Sequence, residues 1–307
     1  MRPVISERPE QVLLSNPRSD RVKAVARLSG RSARLRMGRF VVEGPQAVRE
    51  AVAHTVDGRS GVLGRGASFP GVVRELYVGH EAAQRYPEIL ASAATAGVHA
   101  RPVTDEVLAV MLADGGTLSP QGLVAVCDLV PVELAPVLRS RPVLVSVLSQ
   151  VRDPGNAGTV IRAADAAGAD AVVLTDASVD VHNPKAVRAT AGSLFHLPVV
   201  AGVPLAEAVA GLRAAGLTVL AADGAGAVDL DDLSDAAETD PSALLAGPVA
   251  WVFGNEAWGL PDADRELADA VVRVPVHGRA ESLNLATAAT VCLYATARAQ
   301  RRAARSA

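Results

Sequence analysis

At 307 residues the chain is long for one domain and comfortable for two. Half of it is apolar but only 3% is aromatic, so the cores must be built from Ala, Val and Leu, as is common in compact α/β proteins. A net charge of −3 excludes a uniformly basic or acidic chain, and no apolar stretch approaches the roughly 20 residues that a membrane-spanning helix needs.

Residues 1–17 read as an irregular segment interrupted by Pro3, Pro9 and Pro17, and the opening decapeptide lacks the apolar core of a secretory signal. Residues 18–128 alternate between helical and strand patterns. A basic helix is expected from about Ser19 to Arg36, then a strand over Arg39–Glu43 and a helix opening at Pro45, a favourable first-turn residue. Further short strands are expected over Glu75–Val78, Val98–Val103 and Leu123–Cys127, with helices between them. The basic stretch carries Arg31, Arg34, Arg36 and Arg39 among its cations, with Asp20 and Glu43 as its only acids between residues 18 and 49. Such asymmetry points either to a polyanionic partner such as RNA or to an ordinary solvated helix face.

Residues 129–142 hold Pro131, Pro136 and Pro142 with little periodicity and read as a linker. From 143 to 307 the alternation is cleaner. Strands are expected over Val143–Leu148, Ala171–Leu174, Leu197–Val200, Thr218–Ala221, Val249–Phe253 and Val271–Val274. Their nearly continuous apolar character suits a parallel sheet covered on both faces. Helical patterns lie over 157–168, 184–194, 204–215, 261–269 and 283–304, while the acidic stretch Asp223–Asp240 reads as a solvent loop. Cys127 and Cys292 stand far apart without metal-ligand spacing, which fits reduced thiols in a cytoplasmic protein.

Three strings follow apolar strands in the second half: Asp153–Arg162 (DPGNAGTVIR), Phe253–Leu260 (FGNEAWGL) and Val274–Ala286 (VPVHGRAESLNLA). Ligands of parallel α/β sheets bind at strand carboxyl ends, which is where all three fall. Neither GxGxxG nor GxxxxGK[ST] is present, which argues against a conventional dinucleotide or P-loop site, and the scattered histidines form no HExxH. Asn156 read alone is a helix cap. Arg162, two turns into an apolar helix, calls for a carboxylate or phosphate partner, and Glu256 is either a surface acid or that partner. Ser282 alone is a cap for the last helix, which leaves Asn284 in a first turn where asparagine is not favoured.

The order of these motifs resembles the SpoU/TrmH family of the SPOUT superfamily, S-adenosylmethionine-dependent RNA 2′-O-ribose methyltransferases. The segment Asn183–Pro198 (NPKAVRATAGSLFHLP) strengthens the likeness, which is dense over 143–300. Arg39–Ala51 (RFVVEGPQAVREA) is similar to the family's accessory substrate-binding domain, related to ribosomal RNA-binding proteins. The resemblance implies a catalytic domain over 143–307 with a parallel sheet and a deep trefoil knot, an RNA-binding α/β domain over 18–128, and a homodimer packed through the knots. It implies S-adenosyl-L-methionine contacts at Ala222, Gly254, Val274 and Leu283. Arg162 would face the substrate ribose and phosphate, supported by Asn156, Glu256, Ser282 and Asn284. Arg279 would touch phosphate, and Trp258 is either a stacking platform or a packed lid.

Moving a methyl to a ribose 2′-oxygen requires in-line orientation and stabilisation of developing alkoxide. A guanidinium with a pKa above about 12 is a poor general base, so Arg162 is expected to act electrostatically, with no metal. The expected substrate is large-subunit ribosomal RNA. A tRNA methyltransferase and a non-catalytic ribosome-assembly factor are the alternatives.

Overall fold

The computed structural model describes residues 12–60, 72–115, 121–129 and 132–306; of the segment read as irregular, residues 1–11, with Pro3 and Pro9, lie outside the described residues. The chain divides into two compact units, one ending at Asp128 and the other running from Leu129 onward.

The first unit contains α1 (Asp20–Ala26), α2 (Arg31–Met37), β1 (Arg39–Glu43), α3 (Pro45–Ser60), β2 (Val73–Val78), α4 (His80–Arg85), α5 (Pro87–Thr95), β3 (Ala100–Pro102), α6 (Asp105–Leu112) and β4 (Leu123–Asp128). Its four-stranded sheet has the order β1-β4-β2-β3, antiparallel except for the β2–β3 pair. Leu14 bridges to Val103, so the chain is already held on the sheet's β3 edge before the first helix.

The expected basic helix is not continuous. A 3-10 turn over Arg27–Ser29 and an extended Gly30 separate α1 from α2. This break corrects the reading of Arg34 as an RNA contact. Its side chain is 2% exposed, and Nη1 donates to the carbonyls of Leu28 (2.9 Å) and Ser29 (2.6 Å). Carbonyls freed where a helix ends need donors, and Arg34 supplies them from inside the unit. Arg31 and Arg36 are exposed, whereas Arg39 lies 3.5 Å from Glu75 and 3.9 Å from Asp128.

The second unit contains α7 (Leu134–Arg139), β5 (Leu144–Leu148), α8 (Pro154–Ala167), β6 (Ala171–Thr175), α9 (Pro184–Thr190), β7 (Val199–Val203), α10 (Leu205–Ala214), β8 (Thr218–Ala222), β9 (Val228–Asp229), α11 (Leu230–Thr239), β10 (Val249–Phe253), α12 (Asp262–Arg265), β11 (Ala270–Arg273) and α13 (Leu285–Ser306). Seven strands form an all-parallel sheet of order β7-β6-β5-β10-β8-β11-β9. Leu144 and Leu148 of β5 enter the core beneath α8 and α13, while Val145 and Val147 enter the core beneath α7 and α10. Burial on both faces is why these strands are apolar throughout.

Three expectations differ from this architecture. The stretch read as a linker holds α7, whose Leu134 and Val137 are buried in the second unit's core. The acidic stretch read as a solvent loop contains β9 and α11, with Leu230 and Ala237 buried and the α11 acids Asp231, Asp232, Asp235 and Glu238 exposed. Its apolar positions are sparse enough for the charges to mask the helical period. The helix expected over 261–269 contracts to α12.

In this strand order β5, β10, β8 and β11 are consecutive neighbours and parallel. Their carboxyl ends, and the loops carrying all three sequence motifs, therefore emerge along one edge of the sheet.

Candidate active site

Asp153 accepts the N–H of Asn156 at 2.8 Å and is the N-cap of α8, with Pro154 in the first position. Asn156 is thus released from the capping role that the sequence offered it. Its Nδ2 donates to Glu256 Oε1 at 3.1 Å, and its Oδ1 accepts from Asn284 Nδ2 at 3.1 Å. The Glu256 carboxylate also accepts the N–H groups of Arg152 (3.3 Å) and Asp153 (3.2 Å). Glu256 therefore holds the loop before α8 and does not pair with Arg162. Asn284, not Ser282, caps α13, its Oδ1 accepting from Ala286 N at 2.9 Å. One hydrogen-bonded chain joins Asn284, Asn156 and Glu256, one residue from each motif.

Lys185 reaches Asp153 at 2.9 Å, and this ammonium, followed by the Asn156 N–H, holds the Asp153 carboxyl below the usual range. The second motif is a tight turn in which Asn255 and Gly259 exchange N–H···O bonds of 2.9 Å each. Asn255 is buried; its Nδ2 donates to Gln150 O at 2.7 Å, and its Oδ1 accepts from Ala257 N at 2.8 Å. Gly254 admits no side chain, because a Cβ there would lie 2.3 Å from the Gly259 carbonyl carbon and 2.6 Å from Leu260 N.

These loops surround a cavity of about 760 Å³. Ala222, Gly254, Val274 and Leu283 all line it, as do Glu256, Ser282 and Asn284. Asn156 stands at its edge through its bonds to Glu256 and Asn284. Arg162 does not line the cavity. It is exposed on α8, as is Thr159 one turn before it, and it forms no ion pair or hydrogen bond among the described residues. Arg279 is exposed in the loop between Val274 and Asn284. Asp223, which was not singled out from the sequence, lines the cavity at the end of β8 and pairs with Arg265 Nη1 at 3.2 Å. Its position just after a strand was the available signal, obscured by the acids that follow it.

A family model described as the SpoU rRNA methylase family matches residues 143–294. A relative in Bacillus subtilis, named 23S rRNA (guanosine-2′-O)-methyltransferase RlmP, is 32% identical over 92% of this chain and 97% of its own length. The chain belongs to the SpoU rRNA methylase family. A second relative, a 23S rRNA (uridine-2′-O)-methyltransferase of Streptomyces viridochromogenes, is 32% identical over 89% of this chain and 87% of its own. Among solved structures, an AdoMet-bound rRNA methyltransferase from Sinorhizobium meliloti superposes with a TM-score of 0.74 at 28% identity, covering 94% of this chain and 97% of that one. The methyltransferase AviRb from Streptomyces viridochromogenes, in complex with AdoMet, gives 0.71 at 30% identity over 93% and 99%. The SpoU family model lies within the second unit, whereas these relatives and solved structures cover 89–94% of the chain and so span both units.

Proposed function

We propose that this protein transfers a methyl group from S-adenosyl-L-methionine to a ribose 2′-hydroxyl of RNA, with 23S ribosomal RNA as the substrate. The observation that carries the reading is the hydrogen-bonded chain Asn284–Asn156–Glu256 at the edge of a nucleoside-sized cavity. The cavity's chemistry fits a cationic nucleoside. Its volume of about 760 Å³ is that of a small-molecule site. Ala222, Val274 and Leu283 offer apolar walls for a base, and Asp223, Glu256 and Glu281 outnumber the single lining cation, Arg273, which is already paired with Asp229 at 2.9 Å.

S-adenosyl-L-methionine, when bound, supplies an electrophilic methyl on a positively charged sulfur. Gly254, Ala222, Val274 and Leu283 bind it, largely through backbone groups and apolar contact. Glu256, Asn156 and Asn284 fix the relative positions of the three loops, so that donor and acceptor are held in line rather than meeting by chance. Arg162 orients the substrate's ribose and phosphate and stabilises negative charge developing on the 2′-oxygen. Ser282, in the cavity wall, positions the nucleotide.

Arg162 stands outside the cavity lining of its own protomer, which supports a homodimer in which a second copy brings α8 to the site. We also infer that the segment 254–284 is threaded as a trefoil knot and that the knots form the dimer contact. The first unit is assigned to RNA binding through Arg31, Arg36 and Arg39, with Arg279 added from the second unit; Arg34 is removed from that set. The cytoplasm is where ribosomal RNA is met, and none of the described helices is long and apolar enough to cross a membrane.

The test is transfer of a labelled methyl from S-adenosyl-L-methionine to a 23S transcript by the purified protein, with the product mapped by ribose-methylation-sensitive reverse transcription. Incorporation at a discrete 2′-oxygen is expected. Saturable cofactor binding with no methyl on any RNA would overturn the proposal.

A further inference from the structure

The tip of the second motif carries a group that the transfer chemistry does not use. Trp258 sits between Ala257 and Gly259 in the Asn255–Gly259 turn and is 48% exposed, although residues on either side of it line the cavity. The other tryptophan, Trp251, shows what an ordinary packed indole looks like in this fold: fully buried, with Nε1 donating to Thr296 Oγ1 at 2.8 Å. Leaving a large aromatic half in water forgoes the burial that normally stabilises it.

Trp258 is not simply loose. The guanidinium carbon of Arg152 lies over its ring, 5.0 Å from the centroid. Arg152 is itself exposed, and among the described residues it has no carboxylate partner. Its backbone N–H is held by Glu256 Oε2 at 3.3 Å, the same carboxylate that ties Asn156 into the site. Ring and guanidinium are thus both fixed to the turn that walls the cavity. One ring face is covered by Arg152, so the exposed area belongs to the opposite face and its edges. A flat aromatic face beside an uncompensated cation is the pairing that receives one unit of single-stranded nucleic acid, base on ring and phosphate on guanidinium.

We propose that Trp258 and Arg152 form a nucleotide platform at the cavity rim, on which a base of the RNA substrate stacks while Arg152 contacts its phosphate. The inference rests on the RNA-methylating function proposed above and adds a residue pair for holding the substrate. Stacking tolerates any base, so the platform contributes affinity and register rather than base identity.

The experiment uses the full-length protein and a 23S rRNA transcript. Trp258→Leu and Arg152→Gln are expected to raise the KM for RNA by about tenfold with kcat and the cofactor Kd unchanged. Trp258→Phe should restore most of the loss, because it keeps an aromatic face, and Arg152→Gln should lower the salt dependence of binding by about one released counterion. In a Trp251→Phe background, RNA should quench the fluorescence of Trp258. Wild-type methyl transfer together with unchanged RNA KM in both Trp258→Leu and Arg152→Gln overturns the platform and leaves the function standing. A change of oligomeric mass in Trp258→Leu at constant RNA affinity overturns it in favour of a subunit contact. A wild-type protein that neither binds nor methylates RNA overturns the functional proposal and the platform with it.

Discussion

Asn284 Nδ2 donates to Asn156 Oδ1 at 3.1 Å across a sequence separation of 128 residues, and the same Asn284 caps the final helix through its Oδ1. Both ends of one small amide are therefore committed, one to the helix and one to the site. Asn284→Ala should lose the cap, about 1 kcal/mol, and lower Tm by about 2–4 °C. Asn284→Asp keeps an acceptor for the cap but loses the donor to Asn156. Its Tm should stay near wild type while methyl transfer falls, and equal thermal losses in the two variants would separate the amide from the site.

Glu256 gathers the N–H groups of Arg152 and Asp153 and the Asn156 amide. Glu256→Ala should release the loop before α8, and misplacement on the scale of an ångström lowers kcat on the order of 100-fold. Calorimetry should show the cofactor affinity falling as well, since Glu256 also lines the cavity.

Arg162 lies outside that lining. Arg162→Ala should therefore bind S-adenosyl-L-methionine normally in calorimetry and lose on the order of 100-fold in kcat. Mixing Arg162→Ala protein with Glu256→Ala protein under conditions of subunit exchange should restore part of the activity if each site draws on two copies. Absence of any recovery, with exchange demonstrated, would place both residues in one protomer's site.

In the first unit, Arg34→Ala should unfold at lower temperature, because the carbonyls of Leu28 and Ser29 lose their buried donor. Arg36→Ala should leave Tm unchanged and weaken RNA binding with a smaller salt slope. Filter binding across a salt series, beside thermal melts, checks both.

The Asp153 carboxyl is held below its ordinary range by Lys185 and the Asn156 N–H. A pKa lower in the folded than in the unfolded chain stabilises the fold at neutral pH, and that contribution disappears as pH falls through the folded value. Both groups are partly exposed, so the effect is small. Lys185→Met should lower stability slightly between pH 6 and pH 8 and converge on wild type as pH falls below the usual carboxylate range, flattening the acid limb of a pH–stability curve, as chemical denaturation would report.

Much of this site was legible because strands buried on both faces have an unmistakable apolar signature and the three motifs each follow one. Asn156, Glu256, Ser282 and Asn284 could be picked out for that reason, whereas Ala222, Gly254, Val274 and Leu283 were indicated only by the resemblance to the SpoU/TrmH family. What sequence could not supply was the allocation of hydrogen bonds. Asn156 and Ser282 both read as caps, yet Asp153 and Asn284 hold those positions, since capping is settled by where the chain turns rather than by residue type alone. Arg34 was misleading for a related reason: a buried donor to freed carbonyls and an exposed phosphate contact look identical in a run of arginines. In α11 the acids Asp231, Asp232, Asp235 and Glu238 hid a helix whose inner face is short, with Leu230 and Ala237 buried and Leu233 partly so.

Because the residue that completes the cavity wall also starts α13, and β10 inserts between β5 and β8, synthesis order matters. A ribosome that has emitted the first 269 residues has produced every strand of the sheet except β11, yet no competent pocket. Affinity for the methyl donor should consequently arise in a single late event, and chains released at successive lengths would show it switching on only once the carboxyl-terminal helix is free to dock.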